Sequence, residues 1–213
     1  MRLIALWVFI ALPISATAQP MGVRVSQGFF TQAVSIILPF ANHSGEPDFS
    51  EVSSTQTNAI IEWVPAGETV FDWTQMITVT ALSGAGLDGK NSRYPVTAAA
   101  AMLNRIGGRF QEACDGAHLM PIEAQPIANT RNVEAAVVVC ERVTGQNHGE
   151  LAVILAVVGM SDLYTVQWAQ RFPGMITPEN LPSPEVLLSR LRLLGDTLFC
   201  PLNDDGSPAH PCN

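Results

Sequence analysis

Three apolar runs in the second half of the chain limit what it can fold into: residues 133–140, 150–158 and 163–172. The first two are apolar on both faces, as strands are in a sheet covered on both sides. The connections between the runs, residues 141–149 and 159–162, are too short for a crossover helix, so neighbouring strands must pair antiparallel as hairpins. The third run alternates, with Tyr164, Val166 and Trp168 on one side and Thr165 and Gln167 on the other. An antiparallel β-sheet flanked by helices is an α+β arrangement, and that is the predicted fold class.

Upstream, residues 60–64 form a short apolar strand, residues 65–72 a turn, and residues 75–82 a strand with Ile77, Val79 and Ala81 on one face. Residues 83–92 read as a Gly-rich loop. Ala99, Met102, Leu103, Ile106, Phe110 and Ala113 recur at helical spacing and predict a first helix. Gly107-Gly108 weakens it by about 1 kcal/mol per glycine, so a kink or early end is expected there. A second helix starts at Ser183 as N-cap, with Pro184 in the first helical position and Glu185 at the positive end of the dipole. Leu187, Leu188, Leu191 and Leu194 are its expected buried face, Arg190 and Arg192 lie near its end, and Gly195 is its expected left-handed stop.

Residues 19–58 are weakly patterned, with a strand expected only at 34–40 and a loop over 41–58. No linker or repeat divides the chain, so one α+β domain is expected at 59–200, followed by a polar tail at 201–213.

The N-terminus reads Met1-Arg2, an apolar run from Leu3 to Ile14, then Ala16-Thr17-Ala18. A short positive start, an apolar segment and an A-x-A box are the parts of a secretory signal, so residues 1–18 are expected to be cleaved after Ala18. The run falls short of the roughly 20 residues that cross the hydrocarbon core. The expectation is a periplasmic or secreted protein without stable membrane insertion after cleavage. The chain has a net charge of −8 and a single lysine, Lys90. Nucleic-acid binding needs a basic face, which excludes that partner class.

Cys114, Cys140, Cys200 and Cys212 are an even set, which reads as disulfides in an exported chain. Three pairings are possible; locality favours Cys114 with Cys140 and Cys200 with Cys212. No C-x-x-C pair or Cys/His cluster is present, and no metal site is expected.

The run Gly84-Ala85-Gly86-Leu87-Asp88-Gly89-Lys90 has phosphate-loop spacing, but Asn91 follows where Ser or Thr would hold magnesium, so no cofactor is expected. Gly159-Met160-Ser161-Asp162-Leu163 lacks the closing glycine of a nucleophile elbow and joins two strands, which makes it a hairpin turn. His43, His118, His148 and His210 each read as solitary loop residues, and Asn42-His43-Ser44 as a chance glycosylation match. No catalytic, cofactor-binding or metal-binding residue is assigned. Two tryptophans, Trp63 and Trp73, bracket a Pro/Gly turn. Glu62, Asp72 and Trp73 are candidates for a binding lip, although both tryptophans are better read as core plugs.

The segment from Glu62 to Val79 has the form E-[aromatic]-V-P-x-G-[E/Q]-[S/T]-x-x-x-W-[S/T]-x-M-[I/V]-T-V. It resembles a segment of a family of exported proteobacterial proteins of unknown function. Family members carry a later cysteine pair, which looks like Cys114 and Cys140 here, and a closing cysteine that looks like Cys200. Their G-x-D-x-L-Y-x-V-Q segment is loosely matched by residues 159–167, with Leu163 where a small residue is usual. The resemblance spans roughly residues 60–200. It implies a Mog1/PsbP-like α/β/α sandwich and brings no activity.

The functional expectation is therefore a binding or interaction module of the cell envelope, without chemistry of its own, acting on an envelope component or a protein partner. One alternative is a periplasmic hydrolase whose residues, with Glu62, His118 or Asp162 among them, meet only in three dimensions. Another is a secretion or envelope-assembly accessory, which would expose an apolar patch.

Overall fold

The three apolar runs become neighbouring strands of one seven-stranded antiparallel sheet. The computed structural model describes residues 22–40, 49–54, 58–84, 93–210 and 212. The expected signal peptide, the Gly84 to Lys90 run beyond Gly84, and the Asn42-His43-Ser44 match lie outside them. The elements are β1 (Val23–Phe29), β2 (Gln32–Leu38), β3 (Phe49–Ser54), β4 (Asn58–Val64), β5 (Gln75–Leu82), α1 (Ala98–Ala113), β6 (Cys114–Ile122), β7 (Asn132–Val143), β8 (His148–Val158), β9 (Leu163–Pro173), α2 (Pro184–Gly195) and β10 (Leu198–Pro201).

The large sheet has the order β3-β4-β5-β9-β8-β7-β6. Register sets its two faces. Val137 pairs with Val153, and Val153 with Trp168. Val137, Val139, Val153, Leu155, Tyr164, Val166 and Trp168 enter one core, while Ala136, Val138, Ala152, Ile154, Ala156 and Leu163 enter the other. This is why β7 and β8 are apolar at successive positions. α1 lays Ala99 and Leu103 on the second core, over β6, β7 and β8. α2 contributes Leu194 to the first, against β8, β9 and β2. The α+β class holds, with a helix on each face. Among the described residues, no helix is long and apolar enough to cross a membrane.

Several expectations need correction. Residues 19–58 hold three strands, β1, β2 and β3, and there is a second sheet of order β1-β2-β10. β1 exposes Arg24 and Ser26 in alternation, and β3 is an outer strand of polar composition, so neither shows the apolar run of an interior strand. The small sheet adds Phe29, Val34, Ile36 and Phe199 to the first core. Tyr164 meets Phe199 there at 5.1 Å between ring centres and Phe29 at 6.5 Å.

No early end occurs at Gly107-Gly108: α1 is continuous from Ala98 to Ala113. A methyl group at Gly107 would lie 2.9 Å from Leu119 Cδ2, so the glycine admits β6 close to the helix. β6 follows α1 with no intervening loop. Leu188 is not part of the buried face of α2 but 50% exposed, because the helix turns Leu194, and partly Leu187 and Leu191, towards the core. Gly195 is the last helical residue and is not among the positive-φ glycines. Asp196 caps the helix instead, its N–H donating to Arg192 O.

Two disulfides tie the ends of these elements. Cys114 and Cys140 join the start of β6 to β7 with Cα atoms 5.5 Å apart. Cys200 and Cys212 fasten the C-terminal tail to β10 with Cα atoms 6.0 Å apart.

The expected turn at residues 159–162 is present, closed by Gly159 N–H donating to Asp162 O at 2.9 Å. Asp162 is only 1% exposed. Its Oδ1 accepts from Gly84 N at 2.9 Å. Its Oδ2 accepts from Thr31 N at 3.2 Å, Thr31 Oγ1 at 2.5 Å and Tyr164 OH at 3.2 Å. One carboxylate therefore joins the β1–β2 turn, the end of β5 and the β8–β9 turn.

Candidate functional site: an apolar groove beside the sheet edge

On the face that carries α2, the helix packs on β8 and β9, Val137 and Val139 of β7 are buried, and Met120 of β6 is exposed. His118, Met120 and Ile122 lie on this face, since their strand neighbour Leu119 packs towards α1. The segment after β9 folds back over β7: Ile176 N–H donates to Glu141 O at 2.8 Å. Asn180 then braces the turn, accepting from Thr177 N at 2.7 Å and donating to Met175 O at 2.9 Å. This places Leu181 at the surface across from Met120.

Two open hollows result. One, of about 240 Å³, is lined by His118, Met120, Val139, Glu141, Ile176 and Leu181 among others. The other, of about 560 Å³, lies between Ile122, Leu155 and the Leu188, Leu191 side of α2. Met120 is 41% exposed, and Leu181 and Leu188 are also open to solvent. Exposed apolar side chains gathered round concave surface are the mark of a binding site. The polar groups at the margin are mainly acidic: Glu141 in the first hollow, Glu123 and Asp196 in the second, with Arg192 as the cation. His118 Nε2 and Glu141 Oε1 are 3.0 Å apart.

The expected solitude of the histidines is thus corrected for two of them. The β6–β7 register sets His118 opposite Val139 and so diagonal to Glu141. His148 lies 3.3 Å from Glu150 on the same face of β8. The latter pair is legible as His-x-Glu in a strand, where alternate residues share a face; the former requires the register.

The binding-lip candidates are spread over three environments. Trp73 is buried in the α1-side core, beneath the Arg171 guanidinium at 4.0 Å from its ring centre. Trp63 is buried in the opposite core. Glu62 is half-buried on β4, 3.5 Å from Thr78 Oγ1. Asp72 is exposed in the turn before β5, next to Phe71, which is 85% exposed. That turn is braced by Glu68, whose carboxylate accepts from Thr74 N at 2.6 Å and Thr74 Oγ1 at 2.7 Å.

The hydrolase candidates do not converge. Glu62 is on the second strand of the large sheet and His118 on the seventh, roughly 24 Å away at ordinary strand spacing. Asp162 is enclosed in its hydrogen-bond knot. Among the described residues, no group of three or more His, Cys, Asp or Glu side chains is arranged to hold a metal ion.

No protein-family model matches this chain. No curated protein sequence matches it. The geometry of the groove is therefore the ground for a functional reading.

Proposed function

We propose that this chain is an extracytoplasmic interaction module that holds an apolar segment of a partner in the groove between β6 and α2. The observation that carries the reading is the exposure of Met120 and Leu181 at one hollow and of Leu188 at the other, with β6 contributing to both. An exposed apolar surface is also what the envelope-assembly reading requires, so the two expectations merge into one: a binding accessory acting on an envelope protein. The two disulfides and the signal-like residues 1–18 support the periplasm as its compartment. A sheet with a helix on each face supports a Mog1/PsbP-like relationship and membership of the exported family that residues 62–79 resemble.

The test is methyl nuclear magnetic resonance on the exported, fully oxidised protein, titrated with a panel of ten-residue apolar peptides. The expected result is shifts at the methyls of Met120, Leu181 and Leu188, lost in Leu188→Glu without a change in unfolding midpoint. Shifts elsewhere, or none across the panel, overturn the reading.

A further inference from the structure

We infer that the hollow beside the turn before β5 binds a neutral carbohydrate, with Phe71 as the stacking face and Asp72, Gln146 and Arg171 as partners of its hydroxyls. This site shares no lining residue with the two hollows of the groove and does not rest on them. Phe71 is 85% exposed, yet its backbone is fixed at both ends. Thr69 Oγ1 accepts from Phe71 N at 3.3 Å and from Asp72 N at 3.1 Å. Arg171 Nη1 donates to Phe71 O at 3.1 Å. Below the tip, Gly67 takes a φ of 80° as the third residue of a turn closed by Glu68 N donating to Pro65 O at 3.1 Å. An exposed aromatic ring on a backbone held this way is preorganised, which lowers the ordering cost of binding.

The hollow is open, of about 390 Å³, and is lined by Phe71, Asp72, Gln146, His148, Arg171 and Phe172 among others. Charge argues against an ion as its ligand. Arg171 Nε donates to Glu150 Oε1 at 2.9 Å, and its guanidinium lies 4.0 Å from the Trp73 ring centre. His148 Nε2 is buried 3.3 Å from the same carboxylate oxygen. The arginine is thus already compensated within the chain, and Asp72 repels anions. A single exposed carboxylate holds a cation only weakly. A purely apolar ligand would displace water from the amide, carboxylate and guanidinium edges without replacing its hydrogen bonds.

A sugar ring meets both demands. One of its faces carries C–H groups, which pack on an aromatic ring as other apolar surfaces do. Its rim carries neighbouring hydroxyls, each a donor and an acceptor. Asp72 supplies acceptors, Arg171 donors and Gln146 both, each from a planar end whose adjacent atoms can bond a pair of hydroxyls. Three segments bring these groups together: the turn before β5, the β7–β8 hairpin and the end of β9.

The experiment is calorimetric titration of the exported, oxidised full protein with tetrasaccharides of glucose, of N-acetylglucosamine and of a uronic acid, and with an aromatic tetrapeptide. At least one neutral saccharide is expected to bind with a Kd of about 1 mM or below. Phe71→Ala is expected to weaken it roughly ten-fold and Phe71→Trp to restore it. Asp72→Ala and Gln146→Ala are expected to weaken it about five-fold each. All four side chains changed are at the surface, and unfolding midpoints are expected to stay where they are. Leu188→Glu, a change in the groove, is expected to leave sugar binding intact, so the two sites fail separately. No binding of either neutral saccharide at about 10 mM overturns the proposal, and so does binding that Phe71→Ala does not weaken. A clear preference for the uronic acid makes the ligand an anion, and a preference for the tetrapeptide makes the turn a protein contact; either result overturns the carbohydrate.

Discussion

Thr31 Oγ1 donates a 2.5 Å hydrogen bond to Asp162 Oδ2 across 131 positions of sequence. Burial, followed by the neighbouring carboxylate, raises the Tyr164 phenol far above its ordinary range, so it stays protonated and donates to the same oxygen. Asp162→Ala removes the acceptor of four donors, Gly84 N and Tyr164 OH, which are buried, and Thr31 N and Thr31 Oγ1, which belong to an exposed residue. Each orphaned buried donor costs about 1 kcal/mol or more. We expect a loss of about 3 kcal/mol in urea unfolding. Thr31→Val should cost about 1 kcal/mol, and the two changes together less than their sum because they share one network. An Asp162→Ala protein as stable as the parent would show that the knot is incidental.

Two glycines should respond to alanine in opposite directions. Nothing lies within 4 Å of a methyl group at Gly108, so Gly108→Ala in α1 should stabilise by about 1 kcal/mol through helix propensity. At Gly149 a methyl group would lie 2.5 Å from Glu141 O and 3.0 Å from Cys140 O. Both are backbone atoms of the neighbouring strand, and Gly149→Ala should destabilise by about 2 kcal/mol. Thermal unfolding of the pair of variants should move the midpoint up for one and down for the other.

The disulfides should differ modestly in what they contribute. Loop-closure entropy assigns about 3 kcal/mol to Cys200–Cys212, with a separation of 12, and slightly more to Cys114–Cys140, with a separation of 26. Replacing Cys200 and Cys212 by Ala also releases the tail whose Cys212 O accepts from Ser26 Oγ at 2.8 Å. Hydrogen exchange should then rise in β1 and β10 ahead of the large sheet. Uniform acceleration across both sheets would contradict that local role.

Asp115 offers a pH test. Hydrogen bonds from Arg142, then from Thr144, hold its carboxyl below the ordinary value of 3.8. A lowered folded-state pKa adds stability above the unfolded value, and that contribution disappears as pH falls through the folded value. In a carbon-13 titration, Asp115 should titrate below 3.8, and Arg142→Ala should return it towards that value. An unchanged titration in the variant would separate Asp115 from Arg142.

The legible parts of this chain are those with a strong apolar period. β7, β8 and β9 read clearly because their side chains enter two cores, and α2 reads from Ser183-Pro184-Glu185. The parts that escape notice are edges and short pieces: β3, β6 and β10. β6 contains Gly116 and Pro121 and exposes Asp115, His118 and Met120, so its sequence resembles a loop. The groove is hidden for a related reason. The helical period of α2 marks an apolar stripe without telling which leucines the sheet will cover, and Leu188 falls on the open side only once α2 is seated on β8 and β9. The His118–Glu141 pair depends on β6, the strand whose sequence resembles a loop.

β2 has β1 for one neighbour and β10 for the other, with Ser35 opposite Leu198. A chain that emerges from its N-terminus delivers β1 and β2 long before β10 exists. The hairpin must wait, with Phe29 and Val34 uncovered, while the large sheet assembles behind it. Phe199 then closes the aromatic cluster round Tyr164, and Cys212 latches the strand that brought it. Maturation of this protein is therefore a race between the arrival of its last strand and anything else that binds an unfinished hydrophobic face, and chaperone dependence should be concentrated in that interval.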